Sequence, residues 1–396
     1  MKNTLLFSAF LAGACLCSCQ SGTKPSGEIP VIPVRSLLKE NNDISIKDDI
    51  EKISYIPLET TDSCLISNAF TVKMDKDKDY IFIYNGKTDQ VFQFSSTGRF
   101  IREVGRQGNG PGEHNVVLSL AIDDLNKEIY TFHYSGPPVV HSFDGEYLRT
   151  DTIPATDLFY LSDRSRVLKG INMAPVQIAP WMAALQDENL NITDSIVPYQ
   201  PDWNKEVCYM QEIVFSPAGP DRVLSYTECN DTVFSISSEG CKPVYVLDRG
   251  NSSGYHQNVA DINQLRNNPV KDGDITLIDM FESPRYCYLR YYKDGEYYLQ
   301  RMSMSDGSVL SQMVPESYKE ATVSVPCQNV LGIRNDVDGG VPFWPEFYID
   351  SKTRAQMVTY DIIQKLKESG DLTDLPEELE ELGEYDNPVI ILYTFR

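Results

Sequence analysis

The stretch FIREVGRQGNGPGEH, residues 100–114, is the densest set of residues whose types and spacing could do chemistry. A phosphate-binding loop follows a strand and opens a helix, whose N-terminus completes the anion site. Here GRQGNGPGEH follows a strand-like segment, but the next residues, NVVLSLAIDD, are β-branched and read as another strand. The P-loop pattern GxxxxGKS or GxxxxGKT is absent, and the glycines fall as GxxGxG. The stretch therefore reads as a connector. Gly105, Gly108, Gly110 and Gly112 give it sharp bends and positive φ at low steric cost. Within it, Arg106, Glu113 and His114 are candidate binding residues.

Other reactive types are sparse. Of the four histidines, His133 and His141 fall on successive strand-like segments, where they read as surface or strand-face residues without a third metal ligand. DKDKD (75–79) begins like a calcium loop, but Tyr80 and Gly86 stand where that loop needs glycine and glutamate. NDVDGG (335–340) is a second acidic turn. Were a calcium to sit in a channel, Asp336 and Asp338 with backbone carbonyls would hold it; no other cofactor is implied. Trp344, between prolines in VPFWPEF, could stack on a sugar or anchor a partner, although tryptophans of this kind are commonly buried. Trp181 and Trp203 lie in and after the third repeat described below. A GxSxG nucleophile elbow is absent, and no catalytic residue is assigned.

These residues must be carried by strands. DYIFIYNG, QVFQFSSTG and RFIREVG read as strand, turn, strand, turn, strand, and EIYTFHYSG, VVHSFDG and EYLRTDTIP repeat the order. Gly98 and Gly145 occupy matching turns. Weaker copies put the turn near Asp187 and Glu188, at Gly240 and at Gly307, with an insertion at 250–275. A period of roughly forty to seventy residues with several short strands per unit predicts a β-propeller. Five turns give five blades. The sixth is expected from the chain ends, with EFYIDS and RAQMVTYD innermost, NPVIILYTFR third and IEKISYIPLE outermost. The fold class is thus all-β, a six-bladed propeller over 46–396. A helical insertion at 362–385 has Gly370 and Pro376 as its stop and start signals.

The net charge of -22 repels nucleic acid and anionic lipid surfaces, so neither is an expected partner by charge. The membrane is reached otherwise. LLFSAFLAGACL suits a signal h-region and is too short to span a bilayer. It runs into LCSC, where Cys19 has a leucine three residues before it and a serine just before it, the bacterial lipoprotein arrangement. Residues 1–19 read as the signal ending at lipidated Cys19, and 20–45 as a flexible tether. The six later cysteines (Cys64, Cys208, Cys229, Cys241, Cys287 and Cys327) show no zinc spacing. A strand between Cys229 and Cys241 argues against their pairing, so mostly buried free thiols are expected.

YIPLETTDSCLI, DYIFIYN, VFQFSSTGRFIREVGRQGNGPGE and DNPVIILYTF resemble the six-bladed β-propeller lipoproteins abundant in gut Bacteroidetes, themselves related to NHL-repeat propellers. The resemblance spans residues from about 50 to 396. It implies the fold and a cell-envelope address, on the periplasmic side or the outer surface, and lends no catalytic residues. Two functions follow as expectations. One is a non-catalytic binding or scaffolding propeller for a glycan, peptide or protein partner at the channel mouth. The other is a propeller enzyme of hydrolase or lyase type with a channel calcium. Three or more converging carboxylates would favour the enzyme, and an aromatic-rimmed face would favour binding.

Overall fold

Glu128–His133 and Thr353–Val358 are buried at every position, whereas Tyr147–Thr150 is exposed at every position. A strand covered on both faces must lie inside stacked sheets, and one exposed on both must lie at a rim. The computed structural model describes residues 29–396, apart from 68, 134–135, 174–175, 178, 198–209, 228–229, 251–272, 323–329 and 373–374. It arranges six sheets as a β-propeller.

Blade one is Ala69–Met74, Tyr80–Asn85, Gln90–Ser95 and Phe100–Glu103, from the axis outward. Blade two is Val117–Asp123, Glu128–His133, Gly136–Ser142 and Tyr147–Thr150. Blade three is Asp157–Tyr160, Arg166–Lys169, Ala183–Gln186 and Ile192–Ile196. Blade four is Met210–Pro217, Arg222–Thr227, Thr232–Ser237 and Gly240–Leu247. Blade five is Thr276–Glu282, Tyr286–Lys293, Glu296–Ser303 and Val309–Met313. Blade six takes Phe347–Asp350, Thr353–Val358 and Val389–Phe395 from the C-terminal end, and Ile50–Pro57 as its outer strand. In that last pairing Tyr55 lies opposite Ile391 and Ser54 opposite Leu392.

The repeating turns sit where the sequence places them. Gly98, Gly145, Gly240 and Gly307 join third to fourth strands with φ of 80°, 80°, 106° and 73°. In blade three Leu190 takes the left-handed conformation instead (φ 68°), while the Asp187 carboxylate accepts the backbone N–H groups of Asn189 and Asn191. Each blade-to-blade interface has its own apolar cluster. Phe82, Val91 and Ile129 join blades one and two, and Tyr130, Phe132 and Leu168 join two and three. Val167, Leu185 and Val223 join three and four, and Leu224, Met280 and Leu289 join four and five. Phe281, Phe343 and Tyr393 join five and six, and Ile83, Phe94 and Met357 join six to one.

Part of the expected tether is built structure. Val31–Ile32 pairs in parallel with the outer strand of blade four, and Ile32, Val34, Ile44 and Ile46 are buried. The reason is composition: VIPVRSLL is apolar enough to cover an open sheet edge, unlike the polar residues before it. Residues 1–28, including Cys19, lie outside the described residues. Blade four also gains Ile171–Met173 and Val176–Gln177 at its inner edge, a hairpin from blade three with no signal in the repeat. The helical insertion consists of Tyr360–Glu368 and Glu377–Glu380 between the second and third strands of blade six. Gly370 has φ 81°, and Pro376 is the N-cap. Cys64 and Cys287 are buried free thiols and Cys241 is half-buried; Cys208, Cys229 and Cys327 lie outside the described residues.

Candidate functional site at the channel mouth

All crossings between blades arrive at the N-terminal ends of the inner strands. The opposite end of the channel is bounded by the turns that leave those strands. Those turns recur in chemistry. The Asp75, Asp123, Asp163 and Asp350 carboxylates and the Ser283 hydroxyl each accept backbone N–H groups just downstream. This Asx or Ser turn holds the strand end rigid.

Between these turns lies a cavity of about 430 Å³. Blades one, two, three, four and six supply its wall, through Met74, Ile122, Phe159, Pro217 and Tyr348 among others. Phe159 and Tyr348 meet edge to face, with ring centroids 5.6 Å apart, and both are half-buried. Two carboxylates reach this mouth. The Asp124 carboxylate accepts the Lys76 backbone N–H at 2.9 Å, and burial raises its pKa above the usual carboxylate range. Asp350 pairs with the Lys78 ammonium at 2.7 Å. Among the described residues no group of three or more His, Cys, Asp and Glu is arranged to hold a metal ion.

Blades four, five and six line a smaller cavity of about 340 Å³, with Arg222, Glu282, Tyr348 and Arg354 in its wall. The buried Arg354 guanidinium donates to the carbonyls of Pro345, Glu346 and Pro217, and it lies 4.7 Å from the Phe281 ring centre. Burial lowers its pKa to about 10. Trp344 is packed in the cluster that joins blades five and six. It is 1% exposed; its indole N–H donates to Asp279 at 3.0 Å and Arg290 covers its ring at 4.7 Å. As a candidate binding residue Trp344 is set aside: it takes the commoner, buried placement, covered by Asp279 and Arg290 of blade five.

The glycine loop is a connector, as its residues suggest, and lies at the opposite end from the cavity. Arg106–Gln107 and Glu113–His114 form a small parallel ribbon. Arg106 is exposed and pairs with Glu113 at 2.8 Å; Glu113 also accepts the Gly110 N–H at 2.7 Å, which lowers its pKa. His114 is buried, its Nε2 bonded to the Asp89 carbonyl at 3.0 Å, so it does not face a ligand at the mouth. His133 and His141 lie on strands, as expected, but are buried because the loop folds over them. Their Nδ1 and Nε2 bond the carbonyls of Asn115 and Gly112. A Cβ on Gly105 (φ 67°) would lie 2.9 Å from His141 and 3.1 Å from His114, so glycine is required there.

Asp336 and Asp338 do not converge. The Asp336 carboxylate accepts from the Ser45 hydroxyl and the Ile46 N–H, and Asp338 accepts from the Tyr55 hydroxyl and the Asn335 amide. Both are used to fasten the N-terminal segment to the loop before blade six. Sequence reasoning missed Phe159, Tyr348 and Asp124. The available signal was their position at the end of inner strands, which only a settled blade register assigns.

A family model described as Domain of unknown function (DUF4934) matches residues 29–394. Among solved structures, the chain is similar to a "Putative exported protein" from Bacteroides fragilis. The identity is 15%, the TM-score is 0.61, and the match covers 90% of this chain and 98% of that one. It also matches a member of the DUF4221 family from Bacteroides vulgatus, at 10% identity and a TM-score of 0.48, covering 88% of this chain and 97% of that one. No curated protein matches.

Proposed function

The chain belongs to the family described as Domain of unknown function (DUF4934), and from that premise we propose that it is a non-catalytic binding propeller of the cell envelope. Its partner is a glycan, peptide or protein segment that enters the channel mouth. The observation that carries this reading is the mouth itself: an open cavity of about 430 Å³ with Phe159 and Tyr348 at its wall. Such a wall, aromatic and apolar with Lys73, Lys76 and Arg164 among its polar positions, suits binding. Its two carboxylates, Asp124 and Asp350, are each engaged by the chain's own groups rather than aimed at one point.

The address rests on the signal-like h-region and on Cys19 in LCSC. The similar Bacteroides fragilis structure bears the name of an exported protein. Among the described residues no helix is long and apolar enough to cross a membrane. Lipid on Cys19 supplies the attachment. Mass spectrometry of the membrane fraction is expected to find a diacylglyceryl N-terminus at Cys19, and Cys19→Ala to release the chain into the soluble fraction.

The binding test is a glycan and peptide array probed with the wild-type chain and with Phe159→Ala/Tyr348→Ala. Hits on the wild type that fall at least tenfold in the double variant support the reading. Hits that persist unchanged place the partner elsewhere. No metal is needed: calcium or a chelator should leave the melting temperature unchanged. A clear rise with calcium would favour the enzyme reading, in which Asp124→Asn abolishes turnover and spares binding.

A further inference from the structure

A further cavity, of about 510 Å³, lies between blades two and three and adjoins the channel mouth across Tyr160 and Arg164. Three arginines line it in a chain whose net charge is -22. Two are neutralised within the protein. Arg149 forms a two-pronged pair with Glu128 at 2.7 Å, and Arg164 does the same with Asp123 at 2.8 Å.

Arg166 differs. It is 7% exposed, and its guanidinium donates through two nitrogens to the amide oxygen of Gln186, at 2.6 and 3.1 Å. Among the described residues no carboxylate lies within ion-pair distance of it. Arg166 also bonds the Tyr160 hydroxyl, and a buried cation that meets only neutral acceptors is costly unless something else supplies the charge. The remaining donors of a planar guanidinium suit a planar or tetrahedral oxyanion. The hydroxyls of Tyr130 and Tyr160, 3.3 Å apart, lie in the same wall. Arg164 and Arg166 sit over the Tyr160 ring at 4.7 and 5.9 Å, so that ring offers little face for a neutral sugar. Asp151 at the rim accepts the Thr152 N–H, and its charge acts on Arg149.

We propose that this cavity binds the oxyanion group of a small polar ligand, a carboxylate or sulfate on a sugar-sized molecule, with Arg166 as the receiving cation. The volume is in the range of small-ligand sites. This site goes beyond the channel-mouth reading and stands on different residues.

The test is isothermal titration of the purified full chain in detergent with glucuronate, inorganic sulfate and glucose. Saturable binding of glucuronate or sulfate at least tenfold tighter than glucose is expected. Glucuronate alone would assign a carboxylate, and sulfate alone a sulfate ester. Gln186→Glu places a carboxylate against Arg166 with little change of shape. It should raise the melting temperature and weaken anion binding at least tenfold. Arg166→Gln should also abolish binding; should it fail to fold, Gln186→Glu still decides. Phe159→Ala/Tyr348→Ala should leave anion binding intact, which separates this site from the mouth. Equal binding of glucose and the anions, no binding of either anion, or undiminished binding by Gln186→Glu would overturn the proposal.

Discussion

Three histidines fasten the glycine loop, each through one ring nitrogen. His114, His133 and His141 bond the carbonyls of Asp89, Asn115 and Gly112, and the rings of His114 and His133 stack with centroids 6.3 Å apart. Among the described residues the second nitrogens of His114 and His141 are buried without partners, so a second proton there meets no acceptor among them. Burial, and then neighbouring histidines, hold His133 and His141 below the ordinary imidazole pKa, against opposing carbonyl bonds. Asp89 is the nearby carboxylate, and it is occupied by the Tyr84 hydroxyl and the Val116 and Val117 amides. A histidine whose folded pKa is lowered stabilises the fold while neutral. That contribution is present above the unfolded value of about 6.5 and is lost as pH falls from there through the folded value. The wild type should therefore melt lower at pH 5.5 than at pH 7.5. His133→Gln/His141→Gln should narrow the difference, and an unchanged difference would show that other groups titrate. Arg354 gives a second expectation. Arg354→Met leaves the carbonyls of Pro345, Glu346 and Pro217 without this donor. It should cost about 3 kcal/mol in denaturant unfolding. None of these partnerships was legible in sequence. The side-chain partners of Trp344, and Pro217 and Phe281 against Arg354, stand in other blades, and local pattern carries no record of them. The bends at Gly105 and Gly112 were legible because backbone geometry is local.

Strand burial follows position in the blade, and so does its legibility. Second and third strands, such as Tyr80–Asn85 and Gln90–Ser95, are buried along most of their length because a neighbouring sheet covers each face. Their turn glycines mark the repeat. Outer strands carry weaker patterns and need cover along their free edge. The N-terminal arm supplies it for two blades. Val246 and Asp248 of blade four donate to the carbonyls of Pro30 and Ile32. Ser311 and Met313 of blade five donate to the side chains of Asn42 and Asn41. Asp49 then accepts from Tyr288 and Ser283 before the chain enters blade six. Sequence reasoning stopped at the arm because proline and serine within VIPVRSLL resemble tether composition, while the apolar residues between them decide its placement. Ile32→Ala is expected to cost about 2–4 kcal/mol, since the side chain is wholly buried between the arm and blade four. Hydrogen exchange is the sharper readout. The Val246 and Asp248 amides should exchange faster in this variant, while Tyr55 and Ile391 in blade six should not change.

A propeller has no single core. Stability is distributed over six interfaces, each with its own apolar cluster, and blades that are not neighbours meet only across the channel, as Phe159 meets Tyr348 and Arg354 meets Pro217. Such a ring has one place where neighbouring strands come from opposite ends of the polypeptide. Here it is the antiparallel pair Ile50–Pro57 with Val389–Phe395. The turn count and the strand-like character of both ends made this pairing readable, since a three-stranded last blade would expose an edge. Forming it in the unfolded chain requires closing a loop of more than three hundred residues, the largest entropic cost of any pairing in the molecule. Ser54 and Leu392 lie directly opposite each other and are both half-buried, so cysteines there can be joined with little repacking. Oxidised Ser54→Cys/Leu392→Cys should gain on the order of 5 kcal/mol over its reduced form, through restriction of the unfolded state. The gain should appear as a higher melting temperature that dithiothreitol abolishes. If the two cysteines fail to cross-link in the folded protein, the ends do not meet and the ring is not closed by them. If they cross-link without any gain, this pair opens before the rest of the molecule unfolds, and blade six rather than the blade interfaces limits stability.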